Sequence, residues 1–214
     1  MTTGAAVGTG TDLHDEPRLF VAVPVPDRVG TAIADVVERV RAGAGASDGR
    51  DVRWVRLDGL HITLRFLGPT PEDRVDAVAE ATQIAAADTA AFDVVLGRAG
   101  TFPEARRPRA LWIDILEGAV DLAATARRVD GELRRRGWEL DDRPFRGHLT
   151  LARADGVRAG SAVAARLMEA AEDLELRFTA ERIVLFESIT GRGPARYEPL
   201  AVAALGVGPA AGES

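Results

Sequence analysis

Several residue types and patterns that define whole classes of protein are missing from this chain of 214 residues. It contains no cysteine, which excludes disulfides, thiol redox chemistry and zinc sites built from thiolates. It has no run approaching the roughly 20 apolar residues of a membrane span, and its first residues lack the basic and then apolar pattern of a signal peptide. We therefore expect a folded cytoplasmic protein that does not enter a membrane.

Lysine is absent too, so that all 27 basic residues are arginine, and the net charge is -6. A negative net charge argues against a protein that coats long nucleic acid, because such binding needs many cationic contacts to phosphates. Residues 98–153 nevertheless hold twelve Arg against nine Asp or Glu, a local excess of 12 − 9 = +3. A short anionic substrate could be held near this stretch.

Histidine is scarce, and two of the three histidines lie in nearly identical tetrapeptides, HITL from His61 and HLTL from His148. Polar and apolar residues alternate in both, which is typical of a half-buried strand whose successive side chains point to opposite faces. Thr63 therefore shares a face with His61, and Thr150 shares one with His148. The repetition predicts a site with two histidines. The third, His14, lies in an aperiodic stretch beside acidic residues and is expected to be solvated.

The hydrophobic pattern alternates along the chain between the periods of strands and helices. Two flanking segments, residues 1–16 and 206–214, lack periodicity and are predicted to be flexible tails of a single domain over residues 17–205. Thr70 and Pro71 are placed to begin the second helix, as its N-cap and first residue. Strands are expected at residues 18–25, 60–67, 92–96, 110–116, 148–151, 176–189 and 196–205, and helices at 27–42, 71–90, 119–136 and 161–174.

The two histidine strands lie 148 − 61 = 87 positions apart, and each is followed by a helix and then by further strand. This order indicates two related halves. We expect an α+β fold of two pseudo-symmetric lobes, with mainly antiparallel sheets around a central cleft and helices on the outside. In this interpretation the histidine strands meet in the cleft, where both imidazoles face a shared substrate.

Two imidazoles on opposite sides of a phosphodiester can catalyse its cleavage, because one takes a proton from the nucleophile while the other gives one to the leaving oxygen. An unperturbed pKa of about 6.5 lets both protonation states coexist near neutral pH. Thr63 and Thr150 would donate hydrogen bonds to the non-bridging phosphate oxygens. This chemistry needs no metal or other cofactor, and the sequence shows too few ligands around either histidine for a metallohydrolase.

The segments around both motifs are similar to those of one family. The first motif lies within LHITLRFLG at residues 60–68, and the second lies within RPFRGHLTLAR at residues 143–153. These segments resemble bacterial RNA 2',3'-cyclic phosphodiesterases, also called 2'-5' RNA ligases, a branch of the two-histidine phosphoesterase superfamily. The resemblance spans about residues 18–205 and includes the segments RLFVAV, RPRALW and RYEPL.

The resemblance implies a metal-independent enzyme that opens a 2',3'-cyclic phosphate at an RNA end and leaves a 2'-phosphate; some members also join 2'-5' linkages reversibly. By analogy, His61 gives a proton to the leaving ribose 3'-oxygen and His148 activates water. Arg153 matches the family's phosphate-contacting arginine, and Phe20 matches a stacking surface for the terminal base. Strict alternation puts Arg153 on the face opposite to His148, so we expect the strand to end or bulge by Ala152.

Arg65 and Tyr197 are further candidate substrate contacts. Arg65 shares the face of the first motif's polar residues and could touch phosphate, although an exposed arginine at a strand end fits the pattern equally well. The arginines of the loop at residues 106–109 could guide an RNA end, because binding residues concentrate in loops. Packing within the core or between the lobes is the predicted role of Trp54, Trp112 and Trp138.

Two other functions fit the same motifs. A related enzyme could act on another cyclic phosphate or on 2'-5' oligonucleotides with the same histidine pair. A noncatalytic protein that binds nucleotides or RNA ends could keep the fold, although it would not need both histidines and both threonines, which are all present here. The expected partner in each case is an RNA end, a short oligonucleotide or a nucleotide, and we expect a monomer.

Overall fold

The structure, a computed structural model, describes residues 16–43, 52–154, 159–191 and 193–206. These residues form nine strands, four α-helices and two short 3-10 helices. The strands are β1 (Arg18–Pro24), β2 (Val52–Trp54), β3 (His61–Pro69), β4 (Phe92–Phe102), β5 (Ala110–Glu117), β6 (Leu149–Ala154), β7 (Leu176–Ala180), β8 (Arg182–Gly191) and β9 (Gly193–Ala204). The helices are α1 (Asp27–Ala42), α2 (Val75–Ala87), α3 (Ala119–Arg135) and α4 (Ala159–Ala170), with 3-10 turns at Leu57–Gly59 and Glu72–Arg74.

All nine strands belong to one sheet, in the order β7-β4-β5-β6-β3-β1-β8-β9, with β2 paired to β6 beside this path. Every pairing between these strands is antiparallel. The predicted α+β class with mainly antiparallel pairing is therefore confirmed. The strand predicted at residues 176–189 divides at Glu181, where the chain passes from β7, which pairs with β4, to β8, which pairs with β1.

The sheet consists of two four-stranded halves that meet where β3 lies beside β6, with Ile62 opposite Leu149. We call these two residues the junction pair. Helices α2 and α3 pack on the half formed by β1, β3, β8 and β9, whereas α1 and α4 pack together on the half formed by β4 to β7. The two predicted lobes are thus present. They are not consecutive in the sequence, because the chain crosses between the halves several times.

The second helix begins later than predicted. The chain first forms the 3-10 turn Glu72–Arg74, and α2 follows it. Thr70 does not cap the helix, because it is buried and its hydroxyl donates to the Gly68 carbonyl at 3.2 Å. Its backbone N–H donates to the Pro17 carbonyl at 3.0 Å, which extends the contact between the end of β3 and the start of β1. Pro71 accordingly has an extended backbone.

Strand alternation orients the histidine motifs as predicted. The aliphatic residues of the two motifs are buried in the hydrophobic core, namely Ile62, Leu64, Leu149 and Leu151. The polar residues of the two motifs are all partly exposed, namely His61, Thr63, His148 and Thr150. Because neighbouring side chains of a strand point to opposite faces, burial of the aliphatic set in the core directs the polar set to the other face of the sheet.

Most of the predicted tails, and His14 with them, lie outside the described residues. Gly206 belongs to a predicted tail but is bound to the domain: its N–H donates to the Thr89 carbonyl at 2.7 Å, and its carbonyl accepts from Ala91 at 3.2 Å. A single domain over residues 17–205 stays our proposal, supported by the one sheet that runs through both halves. In the described part of the chain, no helix is long and apolar enough to cross a membrane.

Candidate active site

The two motif histidines are held in the same way. His61 is the first residue of β3, and His148 directly precedes β6. The Nδ1 atom of His61 lies 2.7 Å from the carbonyl oxygen of Gly59, and that of His148 lies 2.8 Å from the carbonyl oxygen of Arg146. Because a carbonyl oxygen only accepts hydrogen bonds, each Nδ1 carries the proton and donates. Each Nε2 atom is therefore left to exchange protons with a substrate.

The two motifs run antiparallel on either side of the junction pair. Ile62 paired with Leu149 is the one pairing observed between them, and the same antiparallel register continued by one residue in each direction would put His61 opposite Thr150 and Thr63 opposite His148. Side chains directly opposite have Cβ atoms about 4.5–5.5 Å apart, and diagonal neighbours such as the two histidines lie about 7–8 Å apart. On this register we expect each imidazole beside the hydroxyl of the other motif, with space for a single phosphate group between the imidazoles.

A cavity of about 990 Å³ opens at this site, at the upper end of the roughly 300–1,000 Å³ of ordinary ligand pockets. Five residues of the predicted site line it, namely His61, Thr63, Thr150, Arg153 and Tyr197. His148 is not among the lining residues, but it shares a strand face with Thr150. The positive charge of Arg153 acts on both His148 and Tyr197, which places the two motifs and this arginine around one space.

The bulge expected near Ala152 is present. Thr150 lies opposite Trp112 of β5, whereas Ala152 lies opposite Leu111, so that one extra residue is inserted into β6 between them. An inserted residue reverses the alternation beyond it. Arg153 consequently returns to the face of Thr150 and lines the cavity, as the family resemblance implied.

The surroundings of both imidazoles disfavour their charged form. Burial lowers the pKa of His61, and the hydrogen bond to the backbone carbonyl opposes this shift only in part. Burial also lowers the pKa of His148; its backbone hydrogen bond raises it, the cations of Arg153 and Arg146 lower it further, and Asp114 opposes them. Both imidazoles are therefore weaker bases than free histidine and are mainly neutral at pH 7.

Comparison with known proteins connects this geometry to a family. Residues 26–192 match the family model described as the 2'-5' RNA ligase superfamily. The chain belongs to that superfamily. The match includes both histidine motifs, β2 and most of the strands that form the two halves of the sheet.

Two curated relatives in this superfamily carry the same name. The RNA 2',3'-cyclic phosphodiesterase of Geobacillus stearothermophilus is 34% identical over 85% of this chain and 55% of its own length. That of Archaeoglobus fulgidus is 30% identical over 64% of this chain and 72% of its own length. The chain thus spans little more than half the length of the first relative. The crystal structure of E. coli LigT complexed with 3'-AMP shares the fold, with a TM-score of 0.64 and 24% identity over 89% of this chain and 99% of LigT.

In this superfamily member, Phe20 is not an open platform for a base. It is only 3% exposed, and its ring centroid lies 4.7 Å from that of His61, 5.2 Å from that of Tyr197 and 5.3 Å from that of Phe186. The stacking role implied for Phe20 is therefore corrected, because its neighbours already cover it and it fixes the ring of His61. The ring of Tyr197 is nearly perpendicular to that of His61, with 4.8 Å between the centroids, and Tyr197 lines the cavity, so it remains a candidate substrate contact.

Arg65 is also not a cavity residue of this superfamily member. Its Nε atom donates to Asp130 at 2.6 Å, its Nη2 atom pairs with the second oxygen of the same carboxylate, and its Nη1 atom lies 3.1 Å from Asp141. Two carboxylates already satisfy the guanidinium. The phosphate contact considered for Arg65 is accordingly replaced by a link between β3 and α3.

The sequence analysis did not identify the aromatic residues around His148. The ring centroid of Phe102 lies 5.1 Å from that of His148, with the two rings nearly perpendicular, and the ring centroid of Trp112 lies 6.3 Å from that of His148. It also missed the two carbonyls that accept from the histidines. Both belong to the residue two positions before the histidine, Gly59 and Arg146, and because they are backbone atoms the residue types give no signal of their role.

The remaining residues considered in the sequence analysis are three loop arginines and two tryptophans. Three arginines of the loop between β4 and β5 are exposed and do not line the cavity, namely Arg106, Arg107 and Arg109. Trp138 packs beneath Arg74, whose guanidinium carbon lies 3.6 Å from the ring centroid. Trp54, by contrast, packs against the core and also lines the cavity. Within the described residues, no group of three or more His, Asp or Glu could hold a metal ion.

Proposed function

We propose that this chain is an RNA 2',3'-cyclic phosphodiesterase, which hydrolyses a terminal 2',3'-cyclic phosphate to a 2'-phosphate without a metal. The observation that carries this proposal is the pair of imidazoles with matching Nδ1 hydrogen bonds, on two strands that meet at Ile62 and Leu149. Membership of the superfamily and the names of the two relatives support the class of substrate. A monomeric state and a cytoplasmic location stay predictions of the sequence.

The reaction requires water to attack phosphorus while the bond from phosphorus to the ribose 3'-oxygen breaks. A neutral Nε2 atom takes a proton from the attacking water, and a protonated Nε2 atom on the other side gives a proton to the departing 3'-oxygen. The phosphate stays attached to the 2'-oxygen. After one turnover the base holds a proton and the acid has lost one, so that exchange with solvent restores the starting pair.

The charges around the two histidines support His148 as the base and His61 as the acid. Arg146 and Arg153 both lower the pKa of His148, which favours the neutral imidazole that a base must present. No cation contributes to the lowered pKa of His61, whose shift comes from burial. Burial is nevertheless the largest cause of the lowered pKa at both histidines, so the choice of His61 as the acid also rests on the family resemblance.

Three groups are placed to hold the phosphate between the imidazoles. Thr63 and Thr150 offer hydroxyl donors from the same strand face as the histidines, and Arg153 adds a positive charge that stabilises the extra negative charge of the transition state. Tyr197 supplies a further donor, because a tyrosine hydroxyl with its ordinary pKa of about 10 is protonated near neutral pH, and burial raises the pKa of this hydroxyl further. Holding the phosphate in line with both Nε2 atoms contributes to the rate by removing the need to orient it.

The same pair of histidines would also serve 2'-5' ligation. If the 5'-hydroxyl of a second RNA replaces water as the nucleophile, the base takes its proton and the 3'-oxygen leaves as before, which gives a 2'-5' phosphodiester. The reverse reaction uses the two histidines with their roles exchanged. The proposal therefore includes reversible 2'-5' ligation by the same two histidines.

The deciding experiment uses a short RNA that ends in a 2',3'-cyclic phosphate, with a chelator present throughout. Hydrolysis by the intact chain is compared with that by His61→Ala and His148→Ala, and the position of the product phosphate is determined. His14→Ala is the matched control, because His14 is the only histidine outside the two motifs. We expect a 2'-phosphate product, a loss of about 100- to 10,000-fold in each motif variant, and no loss in the control.

Other results would favour the alternatives considered from the sequence. Tight binding of the cyclic or 2'-phosphorylated end without turnover would identify a noncatalytic RNA-end binder. Turnover of a different cyclic phosphate or of a 2'-5' oligonucleotide, but not of this RNA, would keep the mechanism and change the substrate. Loss of activity with the chelator would contradict a metal-independent mechanism.

A further inference from the structure

The two sides of the histidine pair are bordered by different surfaces. The cavity lies on the side of His61, because His61 and Tyr197 line it whereas His148 does not. On the other side of the pair, β5 and β4 follow β6 in the sheet, and the rings of Trp112 and Phe102 lie next to His148. Neither ring lines the cavity. Hydrolysis needs only a water molecule beside His148, so it leaves this second surface without a ligand.

The register of the strands places both rings on the face of the phosphate site. Residues that are directly paired across a sheet project to the same face. Trp112 is paired with Thr150, which lines the cavity. Phe102 is paired with Ala110, and Ala110 is paired with Arg153, which also lines the cavity. The two rings therefore extend the floor of the phosphate site across β5 and β4.

Gly100 allows the ring of Trp112 to lie against the backbone of β4. A Cβ atom at Gly100 would come within 2.3 Å of that ring, so any larger residue would displace it. The ring centroid of Trp112 lies 5.0 Å from that of Phe102, and the two planes are inclined by 32°. Both side chains are partly exposed. Together they form an aromatic surface of the kind on which nucleobases stack.

Arg146 adds a positive charge above this aromatic surface. Its guanidinium carbon lies 5.0 Å from the ring centroid of Phe102, which is farther than the roughly 3.5–4.0 Å of direct contact. Arg146 is exposed, and within the described residues no carboxylate pairs with it, whereas the nearby Arg143 pairs with Asp141. The guanidinium of Arg146 is therefore able to bind a phosphate or to cover a base without first leaving a carboxylate.

The direction of the reaction decides which RNA this surface would meet. The attacking and leaving oxygens of a phosphoryl transfer lie roughly in line with phosphorus. With His61 as the acid, the ribose 3'-oxygen leaves on the side of His61 and the nucleophile enters on the side of His148. In ligation that nucleophile is the 5'-hydroxyl of a second RNA. The first nucleotide of that RNA must therefore lie beside His148, where the aromatic surface begins.

We propose that Phe102, Trp112 and Arg146 form an acceptor subsite for the second RNA in 2'-5' ligation. The first base of that RNA stacks on Phe102, and the phosphate on the 3' side of this first nucleotide faces Arg146. The 5'-oxygen forms a bond to phosphorus as the bond to the 3'-oxygen breaks; His148 takes the proton of the 5'-hydroxyl, and His61 gives one to the 3'-oxygen. An occupied acceptor subsite raises the yield of ligation relative to hydrolysis. This inference rests on the proposed function.

The test of Phe102 measures how a cyclic phosphate is divided between two products. A short RNA that ends in a 2',3'-cyclic phosphate reacts in the presence of the 3'-5' dinucleotide of adenosine, whose free 5'-hydroxyl makes it an acceptor. The initial ratio of 2'-5' linked product to 2'-phosphate is determined. Both products require the same two histidines, so a change in His148 itself affects both rates. We expect Phe102→Leu to lower the ratio about tenfold or more.

Phe66→Leu is the matched control. Phe66 is 53% exposed, has the guanidinium carbon of Arg18 5.6 Å from its ring centroid, and does not line the cavity. It reproduces the pair of Phe102 and Arg146 on β3 and β1, outside the acceptor subsite. Phe66→Leu should leave the ratio unchanged, and thermal unfolding shows whether each variant is folded.

The test of Arg146 uses adenosine and adenosine 3'-phosphate as acceptors. Both have a 5'-hydroxyl, and only the second has the phosphate that faces Arg146. The intact chain should give the higher ratio with adenosine 3'-phosphate; Arg146→Gln should abolish this preference, and the control Arg18→Gln should retain it. Arg146 is exposed, and its contact with His148 is made by the backbone carbonyl, which Gln keeps. This variant therefore tests the subsite even if Phe102→Leu does not fold.

The outcomes separate the acceptor subsite from the proposed function. The subsite is wrong and hydrolysis stands if the intact chain forms the 2'-phosphate but no 2'-5' product, if Phe102→Leu gives the same ratio as Phe66→Leu, or if Arg146→Gln keeps the preference. If neither product forms, the proposed function is wrong. Equilibrium binding of the adenosine dinucleotide then decides the subsite: about tenfold weaker binding by Phe102→Leu than by Phe66→Leu supports it, and equal binding overturns it.

Discussion

At the scale of single residues, the site depends on how each histidine is held and charged. The Nδ1 hydrogen bonds to Gly59 and Arg146 leave both Nε2 atoms for chemistry. The histidines differ in their neighbours, because His61 lies among aromatic rings whereas His148 also has two arginines near it. Two motifs that are nearly identical in sequence therefore have different electrostatic surroundings.

The first prediction concerns the dependence of the rate on pH. We expect a bell-shaped profile of kcat/KM, because one imidazole must be neutral and the other protonated. Burial lowers the pKa of both His61 and His148, so the optimum should lie below about 6.5, the ordinary pKa of histidine. Arg153→Gln removes a cation that lowers the pKa of His148. The low-pH limb, which reports the base, should therefore move to higher pH, in addition to any loss of rate.

Arg143→Gln is the control for this profile. Arg143 is exposed, pairs with Asp141 and does not contribute to the pKa of His148. Both limbs of the pH profile of Arg143→Gln should coincide with those of the intact chain. A shift of the high-pH limb in Arg153→Gln, with the low-pH limb unmoved, would show instead that His148 is the acid and would reverse the proposed roles.

At the scale of secondary-structure elements, the sequence predicted what depends on local pattern. Alternation was enough to place His61 and Thr63 on one face of β3. In β6, alternation together with the role that the family resemblance implied for Arg153 predicted the bulge that brings Arg153 to the face of Thr150. The local pattern was insufficient where the role of a side chain depends on residues that are distant in the sequence. The partner of Arg65 lies 65 positions away on α3, and Phe20 is covered by rings from three other strands.

The second prediction tests the corrected role of Arg65. Its side chain and that of Asp130 are 15% and 12% exposed, so Asp130→Asn leaves a nearly buried cation with a weakened partner. Loss of one partner of a buried pair costs about 3–5 kcal/mol, and we expect about 2–4 kcal/mol here because the pair is not fully buried. Urea unfolding measures this change, and kcat/KM should stay within about twofold of that of the intact chain.

Asp141→Asn is the matched control, because Asp141 is the more exposed partner of the same guanidinium. It should cost no more than about 1 kcal/mol. The outcome that would restore Arg65 as a phosphate contact is a loss of about 100-fold or more in kcat/KM for Arg65→Gln at a temperature where the variant is folded.

At the scale of the whole molecule, the site exists because two halves of one sheet meet. Neither half holds both histidines: β3 belongs to the half with β1, β8 and β9, and β6 belongs to the half with β4, β5 and β7. The only residues that pair β3 directly with β6 within the described chain are the junction pair. The distance between the imidazoles therefore depends on packing at this junction, which no single motif in the sequence reveals.

The third prediction separates this junction from the rest of the core. Leu149→Ala and Leu122→Ala each remove a fully buried leucine, and each should lower the free energy of unfolding by about 2–5 kcal/mol. Leu149 belongs to the junction pair, whereas Leu122 lies on α3. A cavity at the junction lets the halves shift, and displacement of a catalytic group by about 1 Å can cost on the order of 100-fold in rate. We therefore expect kcat/KM to fall at least tenfold in Leu149→Ala and less than twofold in Leu122→Ala, measured at a temperature where both variants are folded.

Equal losses of kcat/KM in the two variants would mean that general stability, and not the junction of the two halves, controls the geometry of the histidine pair.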